Sequence, residues 1–243
     1  MNLLLLTDEQ FTSNTSALAN PRQSIHIKQV LKLVPGDQIT LGKLGGSIGK
    51  GIVKELDGDA ITIDDIRLDQ SPPPVLPITL ILALPRPQML KRILQTLSTM
   101  GVQKTCFIQT SRVEKSFWQS PSAKPDAIKE QLILGLEQGM ATQLPEIEMY
   151  TRFRPFMEDH LAEITRDTKK IIADPRGIDA PKEHTASTEL SLAIGPEGGF
   201  IEKEVDKFLG HGFEAVHLGP RILKVETAVP VLLSKLYQFD KVL

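Results

Sequence analysis

"AIGPEGGFIEKEV", residues 193–205, ends an apolar run on Gly195-Pro196, sets Glu197 before Gly198 and Gly199, and then turns charged. A plain turn needs one or two such residues. Four glycines and prolines in five positions indicate backbone that must come close to something other than itself. The run that leads into them, "LSLAIG" (190–195), is apolar but for Ser191 and reads as a buried strand.

The same rhythm extends in both directions. "ITLILAL" (78–84) is a second apolar strand. Leu90, Ile93, Leu94, Leu97 and Met100 then recur at helical spacing up to Gly101. "TCFIQT" (105–110), a helix with Ile128, Leu132, Leu136 and Met140 on one face, "EIEMY" (146–150) and a helix after Pro155 follow. "KKIIAD" (169–174) and "AVHLG" (215–219) bring the candidate strands to six. Alternating strands and helices predict an α/β domain with a parallel sheet and helices on both sides. In such a sheet ligands bind outside the carboxyl ends of the strands. Three late strands end there in unusual loops: "ADPRG" (173–177), "GPEGG" (195–199) and "LGPRILKVETA" (218–228). Neither G-x-G-x-x-G nor a P-loop is present, and no Lys-Ser/Thr pair follows the glycines, which argues against a nucleoside triphosphate.

"DQSPPPVLP" (69–77) reads as a semi-rigid connector, because its prolines fit neither a helix interior nor a central strand. The expected domains are therefore 1–70 and 71–243. The first holds short β-rich pieces, "NLLLL", "DQITL", "GKGIVKEL" and "DAITIDDI", the last two around a turn at Asp57-Gly58-Asp59. With one helical stretch at Ser24–Leu33, it reads as a small barrel or sandwich.

Composition narrows the function. The chain has 243 residues, 41% of them apolar, so it can bury one sizeable core or two modest ones. No apolar run approaches a membrane span, and "MNLLLLTDEQ" lacks the basic start of a signal peptide, which predicts a cytoplasmic protein. The single Cys106 excludes an internal disulfide, and five scattered histidines show no ligand spacing, so no metal is expected. The net charge of −2 hides two basic runs. Residues 20–54 carry Arg22, Lys28, Lys32, Lys43, Lys50 and Lys54 against Asp37 alone, and 84–129 carry Arg86, Arg112, Lys115 and five more against Glu114 and Asp126. One such run is usually a solvated surface; two of them can form a basic face for a phosphate backbone. These nine named residues are the candidate contacts to such a backbone.

"IGPEGGF" (194–200) together with "LGPRILKVETA" (218–228) resembles the signature of the RsmE family, the 16S ribosomal RNA uracil-N3 methyltransferases of the SPOUT superfamily. The resemblance covers the whole chain. It implies a PUA-like β-barrel, then an α/β domain with a C-terminal trefoil knot, a homodimer, and S-adenosylmethionine as methyl donor. The implied donor pocket has Gly195, Gly198, Gly199 and Gly219 as close-approach backbone, with Glu197, Ala173 and Asp174 beside it. Ile194, Leu218, Ile222 and Leu223 would be its walls, although ordinary core is the simpler reading of Leu218 and Ile222; Thr227 and Ala228 begin the last helix.

Uracil N3 is a poor nucleophile until its proton leaves, so such a site must take the proton or stabilise charge on O2 and O4. Arg221 and Lys224 are the candidate cations and Glu226 the orienter or base. Arg112 and Lys115 lie in "TSRVEKSFW" (110–118), where the family carries basic RNA-facing residues. The chain departs from the family pattern at Lys224-Val225, where "RT" is usual, and at Met140 and Ala141, where Gly and Arg are usual. Val231, Leu232 and Leu236 make the last helix apolar enough to pack on a partner. A related enzyme with another RNA target, and a non-catalytic RNA-binding assembly factor, stay open as alternatives.

Overall fold

The computed structural model describes residues 2–57, 60–185 and 187–237. Gly58 and Asp59 of the expected turn lie outside them. The chain forms two compact units, Met1–Pro74 with Ile133–Leu144, and Val75–Leu132 with Pro145–Leu243.

The first unit holds strands β1 (Leu4–Leu6), β2 (Phe11–Ser13), β3 (Ser16–Leu18), β4 (Gln38–Lys43), β5 (Ile48–Asp57) and β6 (Ala60–Gln70). They make one sheet in the order β1-β4-β5-β6-β3-β2, parallel only between β1 and β4. Helix α1 (Pro21–Ile25) begins at a capping box: Asn20 accepts from the Gln23 N–H, and Pro21 fills the first turn. It continues as a π-helical stretch over His26–Leu31 and stops at Lys32, whose φ of 54° is left-handed. Leu4, Leu6, Ile27, Leu41, Val53, Ile61 and Ile63 are the buried centre of this unit.

Residues 133–144, which the sequence alone assigns to the second domain, pack here, and an ion pair between half-exposed Arg22 and buried Glu137 helps to hold them. Glu137, 1% exposed, accepts two bonds of 2.8 Å from Arg22, and the N–H of Leu5 also donates to its carboxylate. Leu136, Met140 and Ala141 join Leu3, Leu5 and Ile48 in a second apolar cluster. Met140 has φ 55°, just past the end of a helix, which is why glycine suits this position. The methionine accepts the left-handed backbone and adds its side chain to the cluster.

The second unit carries β7 (Leu76–Ala83), α2 (Pro87–Thr99), β8 (Val102–Ile108), α3 (Pro125–Gly139, whose residues from Ile133 count with the first unit) and β9 (Glu146–Tyr150). Then come α4 (Phe153–Pro155), which runs through a π-helical stretch into α5 (Leu161–Ile164), β10 (Lys169–Ala173), β11 (Leu190–Ile194), α6 (Glu202–Gly210), β12 (Glu214–Val216) and α7 (Val225–Leu236). Six parallel strands form one sheet in the order β12-β10-β11-β7-β8-β9. This is the α/β parallel sheet that the sequence rhythm predicts.

Leu80, Ile81, Leu82 and Ala83 are buried in succession, so β7 is covered on both faces. Phe156, Leu161, Phe200, Phe208 and Phe213 cover one of them through contacts with Ile81, Cys106, Ile172 and Ala193. Burial pushes the Cys106 thiol well up, so it stays protonated and inert. At the far end of α7 the buried Tyr237 hydroxyl meets the carbonyls of Pro77 and Thr188. Leu232 and Leu236, offered by the sequence to a partner, are fully buried within the chain; Val231 is half-buried. No helix of the described residues is long and apolar enough to cross a membrane.

Candidate active site

Strand register gathers the unusual loops. Ala173 lies opposite Ile194 on one side and Val216 on the other, and Ile194 opposite Leu82. The chain therefore leaves β7, β10, β11 and β12 at the same edge of the sheet, where open α/β sheets bind ligands.

In the loop after β11, Gly195 is buried, and a Cβ on it would stand 2.8 Å from the backbone nitrogen of Phe200. Its bareness thus serves the fold of the loop itself. Gly199 donates to the Pro196 carbonyl at 2.7 Å and has φ +72°, with nothing within 4 Å of an added Cβ. Ile194 is buried at the strand end, whereas Glu197 and Gly198 are exposed. Neighbouring strand ends are stitched to this loop. The N–H of Arg86, at the start of α2, donates to Glu197 at 3.3 Å, and the Arg112 guanidinium donates to the Gly198 carbonyl.

A residue that sequence reading passed over closes the arrangement. Glu204, buried in the first turn of α6, accepts from the Ile201 N–H at 3.0 Å and from the Ser111 N–H at 2.7 Å. The signal was available: a glutamate three residues after the N-cap, here Ile201, is half of a capping box.

The loop after β10 is latched on itself. Asp174 is buried and accepts from the backbone N–H, Nε and Nη2 of Arg176. Burial opposes its ionisation, but the Arg176 hydrogen bonds and charge outweigh burial and hold the carboxyl below the ordinary carboxylate range. Its oxygens are therefore already engaged within the loop.

After β12, His217 Nδ1 accepts from the N–H of Gly219, whose φ is +95° with open space where a Cβ would be. Arg221 and Lys224 are exposed, and Ile222 is 83% exposed. Leu218 and Leu223 are half-buried. The core reading of Ile222 is thus overturned, since the turn at Gly219 carries this segment outward, while Leu218, ahead of the turn, stays half-buried. Lys224 is the N-cap of α7 by its backbone, and its carbonyl accepts from Thr227 and Ala228. Val225, in place of the usual family threonine, is buried. Glu226 is half-buried in the first turn, where a carboxylate suits the helix dipole.

The basic candidates divide. Arg22 is bound to Glu137, Lys43 to Asp8 at 2.7 Å and Lys54 to Asp64 at 2.7 Å. Lys32, Lys50, Arg86 and Lys115 are exposed, and Lys28 is half-buried.

The RNA methyltransferase domain family matches residues 71–237. Ribosomal RNA small subunit methyltransferase E of Treponema pallidum is 30% identical over 94% of this chain and 87% of its own, and Ribosomal RNA small subunit methyltransferase E 1 of Borreliella burgdorferi is 26% identical over 94% of each. The solved Neisseria gonorrhoeae Ribosomal RNA small subunit methyltransferase E, bound to S-adenosyl methionine, superposes with a TM-score of 0.73 at 22% identity over 96% of this chain and 95% of that one. The chain belongs to the ribosomal RNA small subunit methyltransferase E family.

Proposed function

We propose that this protein methylates N3 of a uracil in 16S ribosomal RNA with S-adenosylmethionine as donor, acting as a homodimer. In this reading the first unit is a PUA-like RNA-binding barrel and the second a SPOUT domain whose C-terminal segment is knotted. The observation that carries it is the meeting, at one sheet edge, of two glycines with positive φ and open space above them, Gly199 and Gly219, and a segment that exposes Ile222, Arg221 and Lys224.

The residues fit the donor. Exposed Glu197 and Gly198 and half-buried Gly199 and Gly219, the last two with open space at the Cβ position, leave room for a ligand to hydrogen-bond main chain, and Leu218, Ile222 and Leu223 leave apolar surface for adenosine. When bound, the donor supplies an electrophilic methyl group on a sulfonium. The protein's part is to hold the uracil ring against that group and to exclude water. Arg221 and Lys224 stabilise the charge that spreads over O2 and O4 as N3 loses its proton. Glu226 accepts that proton or orients Lys224. Exposed lysines such as Lys32, Lys50 and Lys115 contact phosphates. The homodimer rests on the family resemblance and on bare Ile222, not on Leu232 and Leu236.

Gly198→Val tests the donor site. The position is exposed and its nearest neighbour is the flexible Arg112 side chain, so the fold is expected to survive. Donor affinity by calorimetry should fall about tenfold or more. Unchanged affinity in the folded variant would overturn the pocket, and no donor affinity in the wild type would favour the assembly-factor reading.

A further inference from the structure

The segment after β8 is fastened to the glycine loop and the start of α6 at two points of different character. On the buried side, the Ser111 N–H is held by the carboxylate of Glu204. A buried charge on a backbone donor is costly to undo. On the solvent side, the exposed Arg112 donates to the Gly198 carbonyl, and its Cδ lies 3.0 Å from where a Gly198 Cβ would stand. A guanidinium on a neutral carbonyl is the weaker fastening. A phosphate offers the same side chain a charge-assisted, two-pronged bond.

Resting on the reading above, we propose that Arg112 is an exchangeable latch: it holds Gly198 while the glycine loop carries no cation, and passes to an RNA phosphate when a positively charged donor occupies that loop. With the donor's sulfonium at residues 195–199, as the latch requires, the Arg112 guanidinium would face a like charge and would hold Gly198 less firmly. Arg112 is then free for phosphate, so donor and RNA each tighten the other's binding by one factor, as linkage requires. The demethylated product is a neutral thioether. Once the charge is gone, Arg112 returns to Gly198 and the grip on RNA loosens. Arg112 is a positioning residue in this scheme, since it acts through the loop and the phosphate and not on the reacting atoms.

The test is the affinity of the full chain for small-subunit ribosomal RNA by filter binding, with either of two non-reacting ligands at saturation. Sinefungin carries a protonated amine in place of the sulfonium methyl; S-adenosylhomocysteine is neutral there. In wild type, RNA is expected to bind about fivefold or more tightly with sinefungin than with S-adenosylhomocysteine. Arg112→Ala should abolish the difference, and Arg112→Lys should keep part of it, having the charge without the fork. A merely structural Arg112 would move both affinities together. Equal affinities in wild type, or a wild-type difference in Arg112→Ala, would overturn the latch with the donor reading intact. Failure of both ligands to bind by calorimetry would instead defeat the donor reading, and the latch with it.

Discussion

Truncating Lys224 or Arg221 to alanine is expected to lower methyl transfer about a hundredfold or more while donor affinity changes little. Their proposed task is to meet charge that exists on the uracil only as N3 loses its proton, so their contribution belongs to the transition state. The fold does not depend on them: both are exposed, and although Lys224 is the N-cap of α7, its side chain makes no capping bond. Lys224→Arg restores the usual family residue and should be at least as active as wild type. Donor affinity that falls in step with turnover would assign these side chains to donor binding. An inactive Lys224→Arg that still binds donor would mean that the pocket is built around lysine.

The second large effect lies in the first unit. Arg22→Ala is expected to destabilise that unit by about 2 kcal/mol or more, less than the roughly 3–5 kcal/mol of a wholly buried pair because the Arg22 side chain is 38% exposed. Glu137 is almost wholly buried and, without Arg22, its carboxylate is left, among the described residues, with the long bond from the Leu5 N–H. Folded proteins hold about 5–15 kcal/mol in all, so the midpoint of urea unfolding should fall sharply at unchanged slope. A residue that served only as a phosphate contact would behave as a surface position, changing stability by no more than about 0.5 kcal/mol. That result would return Arg22 to the RNA face.

Arg22 shows where the sequence stops being legible. The next cations along the chain are Lys28 and Lys32, so it reads as part of a basic run; its partner is 115 residues away, and no local pattern announces it. The same long-range pairing draws residues 133–144 into the first unit. The parallel sheet, by contrast, was legible because covered strands such as 78–84 and 190–194 are apolar but for Thr79 and Ser191, and helix α2 because its buried residues recur at spacings of three and four. Strands β2 and β3 escaped notice, being three residues each and too short to show a period. In the site, the glycines marked the loop, but two reasons for them were hidden. Gly195 gives way to its own loop at Phe200, and Gly199 and Gly219 are fixed by backbone angle. Ile222 read as core because hydrophobicity alone cannot reveal that the turn at Gly219 leads the chain into solvent.

The measurement that bears most directly on the central claim is mass spectrometry of nucleosides from 16S ribosomal RNA of a strain lacking this protein. The account predicts that one 3-methyluridine is lost and that it returns with the wild-type chain but not with Lys224→Ala or Arg221→Ala. Unchanged 3-methyluridine, with the loss of a different methylated nucleoside or of none, would contradict it.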